Sequence, residues 1–257
     1  MSVAEVVLIL LAGVAAGAIN TIVGSGTLIT FPTLLFFGFP PVTANMSNTV
    51  GLVAGGVTGV HGYRAELVGA RGALTRFVPM SFLGAVVGAL LLLVLPSAAF
   101  AAIVPVLIGL GVLLVLLGPR LQAVALRKHA ETDREVGWHL PVMMGGVLVA
   151  GVYGGYFGAA QGVILMGMLS ALSTESLQRL NGYKNVLGMV VNAVAAVTFM
   201  IVAWSRISWA AAGLIAVGSF AGVYLGATIG RRLPPMVLRG FIVVIGVVGI
   251  VKIVWFP

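Results

Sequence analysis

Ser81-Phe82-Leu83-Gly84-Ala85-Val86-Val87-Gly88-Ala89 returns 138 residues later as Ser219-Phe220-Ala221-Gly222-Val223-Tyr224-Leu225-Gly226-Ala227. The same offset carries Ala12-Gly13-Val14 onto Ala150-Gly151-Val152, Gly17 onto Gly155, Leu95-Pro96 onto Leu233-Pro234 and Gly111 onto Gly249. The chain reads as one apolar unit written twice. Internal duplication of this kind marks many secondary transporters, whose halves enclose a substrate site near the membrane midplane.

Composition sets the class. With 60% hydrophobic residues, 8% charged residues and a mean hydropathy of +1.18, the chain is excluded from the soluble domains. It reads as an all-α, multi-pass membrane protein, in contact with the lipid bilayer. The absence of cysteine excludes disulfides and thiolate metal sites. His61, His129 and His139 show no metal-ligand spacing, and no cofactor is expected. The formal net charge of +8 is assigned to short loops that set orientation, not to nucleic acid. No Lys or Arg precedes the first apolar run, and Gly13 and Gly17 have partners in the second half. That run is therefore expected to belong to the fold and not to a cleaved leader.

Eight apolar segments follow: 4–38, 43–60, 75–95, 99–118, 140–172, 183–204, 208–230 and 237–256. The expected division is a first repeat over 1–118, a cytoplasmic linker over 119–138 and a second repeat over 139–257. The first and fifth segments are too long for one span. Each is broken at a glycine-rich centre, Gly24-Ser25-Gly26-Thr27 in one and Gly158-Ala159-Ala160-Gln161-Gly162 in the other. Glycine weakens a helix and permits backbone geometry that other residues resist. In hydrocarbon such a break must be buried in protein or line a wet cavity. The pieces after the breaks, Leu28 to Phe37 and Val163 to Leu172, are about ten residues each. That covers roughly 15 Å, half of a bilayer core. Each unit therefore reads as a broken helical hairpin, re-entrant or built of two short helices, followed by three transmembrane helices. The total is up to ten helical elements.

Charge supports the hairpins. If each hairpin returns the chain to its starting side, the loops 61–76, 119–138, 173–184 and 231–239 share one face. They carry every basic residue of the 14 except Arg206 and Lys252. The positive-inside rule places that face in the cytoplasm, and the N-terminus outside. The two halves then run in opposite senses across the membrane, as an inverted repeat.

The residues that carry chemistry cluster at the breaks. Helices starting near Thr27 and Gly162 present unpaired N–H groups and a partial positive charge. If both tips reach the midplane, these ends form an anion site without a full charge. Gly24, Ser25, Gly26, Thr27, Gln161 and Gly162 are the candidates there. Gly26 and Gly162 are expected not to tolerate bulk, left-handed backbone being open to glycine at the tips. The next helix carries Asn45 and Asn48, with Asn181, Lys184 and Asn185 as counterparts in the second half. Asn45 has a ready alternative as a helix cap. Lys184 reads equally as a snorkelling lysine or as an ammonium beside an anion. Glu175 and Arg179 are spaced to pair along one helix face. No Asp or Glu lies deep in a span, which removes the usual carboxylate proton relay. Gly-x-Ser-x-Gly, HExxH and P-loop motifs are absent, so the chain does not read as an enzyme.

The residues also carry a resemblance. Gly13-x3-Gly17, Asn20-Thr21-Ile22-Val23-Gly24-Ser25-Gly26, Pro32, Ala44-Asn45-x2-Asn48-Thr49 and Gly62-Tyr63-Arg64 resemble the sulfite exporter TauE/SafE family. It covers essentially the whole chain. The second half departs from it at Gln161, in a break without Ser or Thr, and at Lys184, which interrupts the Asn pattern. The resemblance implies a secondary transporter, an exporter of sulfite or of sulfonates such as sulfoacetate. The partners would be a small organic or inorganic anion and a coupling ion, proton or sodium. The alternatives are a passive anion channel and a membrane scaffold or enzyme subunit. Gly84-x3-Gly88 and Gly222-x3-Gly226 fit a homodimer contact or, better, packing within the chain.

Overall fold

A computed structural model describes residues 1–131, 139–225 and 235–255. Among these there are ten α-helices and no strand. The first half holds α1 (Val3–Ile22), α2 (Thr27–Phe36), α3 (Pro41–Gly62), α4 (Arg71–Val94) and α5 (Ser97–Glu131). The second holds α6 (His139–Tyr156), α7 (Gln161–Leu172), α8 (Leu177–Val202), α9 (Trp209–Leu225) and α10 (Pro235–Trp255).

The long first and fifth segments are indeed broken, into α1 and α2 and into α6 and α7. The two breaks are made alike. Val23 and Gly24 both donate to the Ile19 carbonyl, at 2.7 and 3.2 Å. Phe157 and Gly158 both donate to that of Tyr153, at 2.9 and 3.1 Å. Gly24 and Gly158 then turn left-handed, at φ +84° and +76°. These are helix stops of the kind glycine makes without strain. After them α2 and α7 run only 10 and 12 residues.

α5 departs from expectation. It continues through Pro119 to Glu131, so the first part of the expected linker is helical and residues 132–138 lie outside the described chain. Leu121, Gln122, Ala123, Ala125, Leu126, Arg127 and Lys128 are strong helix formers, and they outweigh the bond lost at one proline.

The halves interlock. α1 packs on α9 and α6 on α4; α2 packs on α10 and α7 on α5; α3 and α8 pair with each other at the centre. The principal contacts of each element in one half have counterparts in the other, as α3 with α9 and α8 with α4. Small residues make the closest crossings. A Cβ on Gly84 would stand 2.3 Å from the Leu148 carbonyl oxygen, and one on Gly222 2.0 Å from that of Val14. No side chain fits there, so the backbones of α4 and α6, and of α1 and α9, touch directly. Gly84, Gly88 and Gly222 are thereby used inside the chain; Gly226 lies outside the described residues.

The apolar and polar residues are distributed as lipid requires. Val87, Val106, Val197, Val217, Phe220 and Val244 are exposed on the outer faces of the bundle. Asn45, Asn48, Gln161, Lys184 and Asn185 are buried. Four helices, Val3–Ile22, Arg71–Val94, Ser97–Arg120 and Leu177–Val202, are long and apolar enough to cross a membrane on their own. Phe31, Phe100, Tyr156 and Phe157 meet edge to face beside the tips, with the Phe31 and Phe157 centroids 5.0 Å apart.

Candidate functional site

The two hairpin tips touch. The Gly162 N–H donates to the Gly24 carbonyl at 3.2 Å, so the first turn of α7 lies against the stop of α1. The approach has no slack, because a Cβ on Gly162 would stand 2.5 Å from the Gly24 Cα. A cavity of about 30 Å³ opens beside this contact. The first hairpin contributes Asn20, Thr21, Gly24 and Thr27 to its wall, and the second Gly158, Gln161 and Gly162. Leu52, Gly55 and Gly56 of α3 close one flank, and Lys184, Asn185, Gly188, Met189 and Asn192 of α8 the other. The first turns of both α2 and α7 therefore line the same space. In this state that space has room for about one or two water molecules.

Lys184 is the one charged residue in the lining among the described residues. It is 2% exposed, and its Nζ donates to the carbonyls of Thr21 at 3.0 Å and Ile22 at 3.3 Å. These are the last carbonyls of α1, left unpaired by the helix end and carrying its partial negative charge. The ammonium therefore caps a buried helix terminus. An ammonium has three N–H groups, so one remains for the cavity.

α6 ends against an equivalent device. The Asn45 Nδ2 donates to the Tyr156 carbonyl at 2.9 Å. A residue of α8 thus caps α1, and a residue of α3 caps α6. The cap is charged in the first case and neutral in the second. Asn48 lies one turn further along α3 and bonds to the start of α2. Its Nδ2 donates to Thr27 Oγ1 at 3.2 Å, and its Oδ1 accepts from Thr30 Oγ1.

The structure separates the sequence candidates into two groups. Gly24, Thr27, Gln161, Gly162, Lys184 and Asn185 line the cavity; Ser25, Gly26, Asn45, Asn48 and Asn181 do not. Ser25 is fully buried and its Oγ has no protein partner. The Gly26 N–H donates to Asn20 Oδ1 at 3.3 Å. The Asn181 carbonyl accepts from Asn185 Nδ2 at 2.9 Å, while its own Oδ1 is buried without a partner. Gln161 is 5% exposed, and its Nε2 has no partner in the protein. The expected backbone geometry needs correction at Gly26 and Gly162. Gly26 is right-handed at φ −58°, and Gly162 is not among the left-handed residues. The left-handed positions at the tips are Gly24, Gly158 and Ala160, the last at φ +64°. Glycine is needed at 26 and 162 for lack of room. A Cβ on Gly26 would lie 2.7 Å from the Ala16 carbonyl oxygen.

Several lining residues had no role in the sequence reading. Asn20 and Thr21 stand in the quoted family motif, just before the glycines that drew the eye. Asn192 follows Asn185 by two helical turns, with Gly188 between them on the same face of α8. That spacing was the available signal. Away from the cavity, Arg179 Nη1 pairs with Glu175 Oε2 at 3.4 Å, as the spacing predicted, and its Nη2 donates to the Val68 carbonyl at 3.0 Å.

The description Sulfite exporter TauE/SafE matches residues 9–253, nearly the whole chain. The chain belongs to the sulfite exporter TauE/SafE family. It is similar to the probable membrane transporter protein YfcA of Escherichia coli K12, 26% identical over 250 residues, which cover 93% of this chain and 86% of that protein. A probable membrane transporter protein of Haemophilus influenzae is 27% identical over 247 residues, covering 95% and 92%. The probable membrane transporter protein ORF9 of a Sinorhizobium species is 26% identical over 243 residues, covering 94% and 89%. No solved structure matches the chain. Family and helices together make this a multi-pass bacterial membrane protein of a transporter family.

Proposed function

We propose that this protein is a secondary transporter of small sulfur-containing anions, sulfite or a sulfonate such as sulfoacetate, that exports them by alternating access. The observation that carries the reading is the cavity at the meeting of the hairpin tips. It is lined by two helix N-terminal turns and one buried lysine. Helix N-termini and an ammonium are the chemistry that holds an oxyanion. The family description and the relatives' names point the same way.

Alternating access is supported by two features. The exchange of partners between halves, α1 with α9 and α6 with α4, is what an inverted repeat requires of its packing. The space for a ligand is also narrow, because the tips meet through the Gly162–Gly24 bond and leave about 30 Å³. A ligand enters only when the tips part.

The test is counterflow. Proteoliposomes loaded with unlabelled sulfite should accumulate labelled sulfite transiently against its gradient, and imposed proton or sodium gradients should identify the coupling ion. Flux that dissipates the gradient without counterflow would support a channel instead. No flux of sulfite or sulfonates would remove the substrate class.

A further inference from the structure

We propose that this site selects, among small oxyanions, those with a single negative charge and no cationic group; the proposal rests on the anion-transport reading above and narrows it to hydrogensulfite and singly charged sulfonates, leaving out sulfoacetate, a dianion at neutral pH. The inference comes from counting charges and hydrogen-bond donors around the cavity. Among the described residues, Lys184 is its one charged residue and no carboxylate lines it. The six acidic residues of the chain are Glu5, Glu66, Glu131, Asp133, Glu135 and Glu175, and none stands among the lining residues.

The positive charge is limited. Two of the three ammonium N–H groups are spent on the Thr21 and Ile22 carbonyls, where the end of α1 contributes about half a negative charge. The first turns of α2 and α7 each return about half a positive charge. The end of α6, whose stop at Gly158 also lines the space, takes back about half a charge, so roughly one positive charge remains, enough for one anionic charge and short of two.

The free donors match one oxyanion head. The third Lys184 N–H is available. Gln161 Nε2 is buried without a partner, an expensive vacancy that a ligand oxygen would relieve. Thr27 Oγ1 accepts from Asn48 and so keeps its own proton to give. An ammonium on the ligand would find no carboxylate and would meet Lys184 as a like charge. Beside a buried ammonium, where the dielectric is low, that pairing is strongly unfavourable. The site therefore rejects zwitterions of the same shape as its ligands.

The experiment uses pairs of equal shape and different charge, titrated calorimetrically into the full chain in nanodiscs at neutral pH. Methanesulfonate against sulfate compares one charge with two. Propane-1-sulfonate against taurine compares a methyl end with an ammonium end. The expected result is that each first member binds at least about tenfold more tightly than its partner, with neutral dimethyl sulfone weaker than methanesulfonate. Gln161→Glu places a carboxylate in the cavity with little change of shape. It should abolish methanesulfonate binding and raise taurine relative to propane-1-sulfonate. Sulfate or taurine binding as well as its isostere overturns the charge selection while leaving anion transport standing. Failure of every sulfonate to bind overturns the transport reading as well. If Gln161→Glu does not fold, judged by its elution profile and melting curve, the two wild-type pairs decide alone.

Discussion

Removal of the Lys184 ammonium tests the structure most directly, because that group serves a helix end and the cavity at once. Lys184→Met keeps an unbranched chain of similar length and deletes the charge. Two bonds to the Thr21 and Ile22 carbonyls are lost. Bonds from a charged donor contribute about 1.5–3 kcal/mol each, so the pair sets an upper bound near 3–6 kcal/mol. Relief from burying an ammonium at 2% exposure offsets part of that. The net expectation is a folded protein less stable by about 1–3 kcal/mol. The third N–H is lost to the ligand as well. One charged contact corresponds to about 10- to 150-fold in affinity. Melting curves in nanodiscs read the first effect, and calorimetric titration with methanesulfonate reads the second. Lys184→Arg should recover part of both, since a guanidinium can still reach two carbonyls. A Lys184→Met protein with unchanged melting and unchanged affinity refutes the reasoning at both ends. Lowered melting with unchanged affinity would leave Lys184 as a helix cap alone.

Three further outcomes are expected. Ser2→Cys should be labelled from outside by an impermeant thiol reagent and Lys128→Cys protected in intact cells, because nearly all basic residues fall on one side of the hairpin topology; the reverse pattern inverts the orientation. Gly84→Ala should cost about 1–3 kcal/mol of stability with little change in anion affinity, since its Cβ would sit 2.3 Å from the Leu148 carbonyl oxygen and Gly84 is not among the cavity's lining residues. Gly162→Val and Gly26→Val should abolish flux in protein that still inserts, because a Cβ at either position meets backbone. Ser25→Ala should be milder, and normal flux in folded Gly162→Val would move the site away from the tips.

The helices were legible because lipid allows few alternatives. Uninterrupted apolar runs at bilayer length must be helices, and the glycine clusters inside the two overlong runs had to be breaks. The tip clusters were legible for the same reason. Which glycine would turn left-handed was not. Gly24 and Gly158 make equivalent helix stops, yet the offset between them differs from the 138 residues that relates the scaffold helices. The second tip has slipped relative to the first, so matching glycines by the scaffold offset misplaces them. Lys184 was noticed as a charge, but its bonds to Thr21 and Ile22 join residues over 160 positions apart. No local pattern encodes such a partner. Asn192 escaped because its signal was only its spacing from Asn185 and Gly188 on one face of α8, and that spacing gains meaning from what the face meets.

The two helix caps show where a nearly symmetric architecture becomes directional. α1 and α6 both end inside the bundle, and each leaves carbonyls that must be satisfied where water is scarce. The second half answers α1 with Lys184, and the first half answers α6 with Asn45. The scaffold treats these positions alike, through the same packing partners and the same glycine stops. A neutral amide satisfies one carbonyl and adds no net charge. An ammonium satisfies two and leaves a positive charge beside the tip contact. The cavity lies on the Lys184 side of that contact and includes neither Asn45 nor Asn48. On the proposed transport reading, an anion therefore meets different chemistry according to the half it approaches, although the helices on either side are arranged alike. Parting the tips frees the Gly162 N–H from Gly24 just beside that charge. On that reading the donor released by opening lies next to the ammonium, where an arriving oxyanion binds both.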